Sequence, residues 1–127
     1  MSASPFLRSV LLMDAATSAA MGVALLLGAG MLAGLLGLPE VLLRGAGLSL
    51  LPFAAFVAWV ATRPALWRAG VWAVIALNVL WAVDSVVLLV PGWVAPAAQG
   101  YAFVLAQAAF VAVLAELEYV GLRRAAA

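Results

Sequence analysis

Four stretches without one charged residue, 15–39, 45–62, 69–83 and 85–115, run through this chain of 127 residues. A helix that crosses a bilayer needs about 20 mainly apolar residues, and these stretches with their immediate flanks supply that length four times. Charged residues make up 9% of the chain and hydrophobic ones 69%. An ordinary soluble domain carries about 25% charge, so this chain cannot cover itself with a water-facing surface. The expectation is an all-α integral membrane protein, a single domain over 1–127, with the lipid bilayer as its main solvent.

Breakers set the turns. Glycine and proline cluster at 37–40 and at 91–96, and a proline closes Thr62-Arg63-Pro64, where proline geometry or glycine freedom ends a helix. Four transmembrane helices joined by short loops are therefore expected near 6–36, 41–61, 69–90 and 97–119, as an antiparallel bundle. Asp14 interrupts the apolar run that follows Arg8, and no polar stretch succeeds it, so the first segment reads as a retained span and not a cleaved leader. Four spans place Arg8, Arg63, Arg68, Arg123 and Arg124 on one side and only Arg44 on the other. By the positive-inside rule both termini face the cytoplasm, and the protein is multi-pass in the inner membrane. Trp59, Trp67, Trp72 and Tyr119 fall near the inner boundary, Trp93 and Tyr101 near the outer one, as headgroup-level aromatics do. Six arginines with no lysine, and 17 valines with one isoleucine, follow a GC-rich codon composition and point to a bacterial source.

Several functions are excluded by what is missing. With no cysteine and no histidine, the commonest ligands of zinc, haem iron and iron–sulfur clusters are absent, and so is the usual general base. No charge excess marks a nucleic-acid surface. The five carboxylates are scattered, with no acidic cluster to hold magnesium. No cofactor, no metal and no enzymatic activity are expected.

The polar residues inside the spans need an account, since an ionisable group at a helix centre costs about 2.5–3.5 kcal/mol on insertion scales. At 100° per residue, Asn78, Trp81, Asp84 and Ser85 share one arc, expected to face the bundle interior. Asp84 either pairs with Arg44, which lies at matched depth in the second span, or is a protonatable carboxylate in an outward-opening pocket. Asp14 heads a stripe with Thr17, Ser18 and Met21, an inner-side site that either takes a proton or pairs with Arg63, Arg68 or an arginine ending the fourth span. Glu116 and Glu118 read as rim charges. Asn78 and Gln107 are expected to hydrogen-bond to each other. Gly30 and Gly34 have the four-residue spacing that lets helices approach closely, within the bundle or between two copies. The run Ala-Ala-Phe-Val-Ala at 54–58 and 108–112 raises a two-hairpin repeat, although these residues are common throughout the chain.

The absence of a soluble domain and of a catalytic constellation favours a non-enzymatic accessory, assembly or structural subunit of a membrane complex, with a protein partner or a homo-oligomeric form. The alternative is a small proton-coupled transporter or channel, a homo-oligomer with Asp84 as its protonatable residue.

Overall fold

The computed structural model describes residues 4–89 and 96–126. All regular structure among them is helical: α1 (Pro5–Leu27), α2 (Ala29–Leu36), α3 (Glu40–Ala61), α4 (Arg68–Leu89) and α5 (Ala98–Ala126). Four helical segments, in α1, α3, α4 and α5, are long and apolar enough to cross a membrane. The turn expected at 91–96 and the ring of Trp93 fall mostly outside the described residues.

Two boundaries differ from expectation. The first span is broken at Gly28, which leaves helical geometry at φ −104° and ψ 12°. The backbone bonds from Gly28 to Ala24 and from Leu32 to Gly28 survive at 2.8 Å each, so α2 continues as an offset extension. The last helix continues well past the expected end at 119, to Ala126, and Leu122 is fully buried within it. At 1.5 Å per residue those seven positions add roughly 10 Å of helix.

Local sequence explains the other ends. The Ser4 hydroxyl accepts from the Leu7 amide at 3.1 Å, with Pro5 in the first turn, a favourable helix start. Gly37 closes α2 in the left-handed region (φ 69°), where its amide bonds to the Ala33 carbonyl; a side chain there would be strained.

α1 packs along α3 and α4 along α5; α1 also meets α5, while α3 and α4 barely touch. The α1–α3 crossing is closest at Gly22 and Gly47, where an added Cβ on Gly47 would lie 2.8 Å from the Gly22 carbonyl oxygen. Gly30 and Gly34, the spacing singled out in sequence, do not serve this purpose. A Cβ on Gly34 would meet nothing, and one on Gly30 only the Glu40 carboxylate, because both stand off the buried stripe of Gly22, Ala29 and Leu36. At the far end the Ala97 amide donates to the Leu36 carbonyl at 3.0 Å, and Gly100 lies so close that a Cβ would overlap that oxygen.

Two apolar cores result. One gathers Leu7, Leu11, Val57, Val60, Val74 and Leu122 at the end bearing the chain termini. The other gathers Leu25, Leu36, Leu38, Leu43, Leu50 and Val104 at the opposite end. The Arg8 guanidinium donates to the Arg63 carbonyl at 3.2 Å and the Arg124 guanidinium lies 5.2 Å from the Phe6 ring, so these arginines gather at the first end. Large side chains such as Leu27, Met31 and Val41 are left exposed, as expected where lipid is the solvent. The two copies of the Ala-Phe run differ in role: Phe56 packs edge-on to Trp67, with centroids 6.1 Å apart, whereas Phe110 is exposed.

Candidate functional site

Three polar side chains from three helices meet within the first apolar core, Asp14 beside Leu11 and Ala15, Glu118 between Ala115 and Leu122, and Asn78 one turn past Val74. Asp14 of α1, Asn78 of α4 and Glu118 of α5 are 1%, 3% and 0% exposed. Each stands on the buried stripe of its helix: Leu7, Leu11 and Ala15 accompany Asp14, Val71, Val74 and Ile75 accompany Asn78, and Leu114, Ala115 and Leu122 accompany Glu118. Counted at 1.5 Å per residue from the arginine-bearing helix ends, all three lie at a similar level, roughly 12–15 Å along their helices.

One amide nitrogen ties them together. Asn78 Nδ2 donates to Asp14 Oδ2 at 2.7 Å and to Glu118 Oε1 at 2.9 Å, which sets the two carboxyl groups side by side. Ser18 Oγ donates to Asp14 Oδ1 at 3.2 Å. Glu118 Oε2 is buried with no hydrogen-bond partner. No arginine neutralises the pair: the one ion pair among the described residues is the exposed Arg44–Glu40 contact at 2.9 Å, one turn apart on α3. Around the carboxyls, α4 contributes only the uncharged Asn78, and α3 carries no titratable side chain from Gly45 to Ala61.

Several expectations are corrected by this arrangement. Asp14 pairs with neither Arg63, Arg68 nor a C-terminal arginine; Arg8 and Arg63 spend their donors on backbone carbonyls instead, Arg63 Nε on Trp59 at 2.9 Å. Glu118 is an interior residue and not a rim charge, because α5 continues beyond it; Glu116, two positions earlier, is exposed on the surface of α5. Asn78 does not meet Gln107. Gln107 joins a second network, in which it accepts from Trp81 Nε1 at 2.8 Å and donates to Ser85 Oγ at 2.8 Å and to the Val104 carbonyl at 2.9 Å. Thr17 is satisfied locally by the Met13 carbonyl at 2.8 Å. Arg44 bonds to Glu40 and not to Asp84; Asp84 is exposed and without a hydrogen-bond partner among the described residues.

Above the triad the helices part. A cavity of about 600 Å³ lies among α1, α3, α4 and α5, with walls that include Ser18, Met21, Ser49, Trp81, Asp84 and Gln107. A second space of about 400 Å³ continues between α3 and α4 past Pro52, Phe53 and Asn78. Ser18 lines both and also bonds to Asp14, so the carboxyl pair is one hydrogen bond away from the cavity. The arc Asn78, Trp81, Asp84 and Ser85 does come to one region, but graded from a buried floor at Asn78 to an exposed rim at Asp84.

Sequence reasoning missed Glu118 as a partner of Asp14. The usable signal was the small and apolar stripe Val104, Ala108, Val111, Ala115 and Leu122, whose period passes through position 118. No group of three or more acidic side chains able to hold a metal ion occurs among the described residues. Comparison with known protein families, curated protein sequences and solved structures finds no match to this chain.

Proposed function

We propose that this protein is a small proton-linked carrier of a bacterial inner membrane, with no enzymatic activity, and that the Asp14–Asn78–Glu118 triad is its proton-holding centre. The observation that carries the proposal is the pair of buried carboxyl groups bridged by one amide, with no cation beside them. Two uncompensated charges in a low-dielectric interior are far too costly to persist. A single proton, on the otherwise unpartnered Glu118 Oε2, leaves one net negative charge to be stabilised by Asn78 and Ser18. Loading and unloading of that proton changes the charge of the bundle's centre, and Ser18 offers the path between it and the cavity.

Orientation follows from arginine distribution. The end bearing Arg8, Arg63, Arg68, Arg123 and Arg124 faces the cytoplasm with both termini, the four spans form an antiparallel bundle, and the cavity opens outward. The apolar core around Leu7, Val57 and Leu122 closes the cytoplasmic end in this state. Of the two carboxylates that the sequence offered as proton-taking, Asp14 is retained here together with Glu118, and Asp84 becomes a cavity residue.

Infrared spectroscopy of the reconstituted protein tests the centre. A band from a protonated, buried carboxylic acid is expected in the native chain and is lost in Glu118→Gln, whose amide oxygen can still accept from Asn78 and so keep the triad. A native spectrum without that band, or a band unchanged in both Glu118→Gln and Asp14→Asn, refutes a shared proton. Native mass spectrometry after gentle extraction addresses assembly: a homo-oligomer supports the carrier, whereas a reproducible stoichiometric partner returns the protein to the accessory-subunit class.

A further inference from the structure

We infer that the cavity takes a lipophilic monocation, an amphipathic amine or onium ion, with the Asp84 carboxylate as its counter-ion. This names the substrate class of the carrier proposed above and rests on that reading. Among the described residues that line the two spaces, Asp84 alone carries a formal charge. It lines both of them, is exposed, and has neither an ion-pair nor a hydrogen-bond partner among the described residues, since Arg44 is held by Glu40.

This lone carboxylate lies within a helix long and apolar enough to span a membrane. Such a group is expensive in lipid and gains most from a mobile positive charge brought to it. The remaining walls suit the rest of an amphipathic molecule. Leu25, Leu42, Leu88 and Val104 are aliphatic, and Phe103 and the Trp81 indole add aromatic surface that attracts cations as well as apolar groups. A volume of about 600 Å³ falls within the ~300–1,000 Å³ typical of small-molecule sites. A lipophilic anion would meet the same carboxylate unfavourably, and a strongly hydrated inorganic cation would find a single charged oxygen ligand, Asp84, in walls that are otherwise mainly apolar. The parting of α3 from α4 gives such a molecule a lateral way in from the bilayer.

The test compares tetraphenylphosphonium with tetraphenylborate, ions of one shape and opposite charge, on the full chain in nanodiscs of neutral lipid, with empty discs as the background. Saturable phosphonium binding is expected, with at least tenfold preference over the borate. Asp84→Asn should weaken phosphonium binding at least tenfold, Asp84→Glu should retain it, and Ala46→Phe should block it by filling the cavity. Equal binding of the two ions, a cavity held by phospholipid that phosphonium does not displace, or an Asp84→Asn protein that binds as well as the native one overturns the inference. Proton release measured on binding separates the two proposals. Charge-selective binding with no proton release keeps the cation site and removes the proton link. Loss of the infrared acid band in Glu118→Gln, with no saturable phosphonium binding, keeps the proton centre and removes the cation.

Discussion

Asn78 has two amide protons and spends them on two acids, which makes it the residue whose loss should be felt most. Asn78→Leu leaves both carboxyl groups without their shared donor, and each buried group so abandoned costs about 1–3 kcal/mol. A clear fall in the thermal midpoint in detergent is expected, while Glu118→Gln should leave that midpoint unchanged or raised, because it removes a proton requirement and keeps the hydrogen bonds. Gln107→Leu is expected to cost less, near the ~0.6 kcal/mol average for side-chain hydrogen bonds between membrane helices, and the same melt checks it. Arg44→Ala should be almost silent. Its partner Glu40 is an exposed neighbour one turn away, and such pairs contribute about 0.3–0.5 kcal/mol. That Asp14, Asn78 and Asp84 needed an account was legible from their place in uncharged spans. Which of them would meet was not, because the choice of partner depends on how the helices are rotated about their axes.

At the level of elements, the glycines divide by what opposes them and not by their spacing. Gly22 and Gly47 face each other's backbone across α1 and α3, so Gly47→Leu is expected to open that crossing and lower the yield of folded protein. Gly34→Leu, with open space before it, should be tolerated; size-exclusion profiles and melting midpoints of the two variants give the comparison. The four-residue pattern at Gly30 and Gly34 looked equally suited to packing. Yet the buried stripe of Gly22, Ala29 and Leu36 advances by heptads straight past the break at Gly28, and Gly30 and Gly34 fall beside it on the exposed side of α2. The length of α5 is a similar case. Arg123 and Arg124 read as the water-facing end of the last span, yet Gly121 packs on Leu7 and Leu122 is buried, so contacts with α1 hold the helix well past the charges' expected limit. Those additional turns are what place Glu118 in the interior.

For the molecule as a whole, the proposed orientation can be read directly, since the chain contains no cysteine. Single replacements Ser4→Cys and Val41→Cys, probed with a membrane-impermeant maleimide on intact cells, should label only at Val41; labelling at Ser4 alone would reverse the orientation. Length, hydropathy and breakers were enough to determine an all-helical chain with four segments long and apolar enough to cross a membrane, and the places where most of them begin, because the cost of exposing backbone and charge to lipid is paid locally, segment by segment. The carboxyl pair, its single amide bridge and the cavity above it were decided only by the tertiary structure. Helices in lipid gain no hydrophobic free energy by meeting, so their facing surfaces are chosen by close backbone contact and by the partners that buried polar groups find, and both are properties of the assembled helices together.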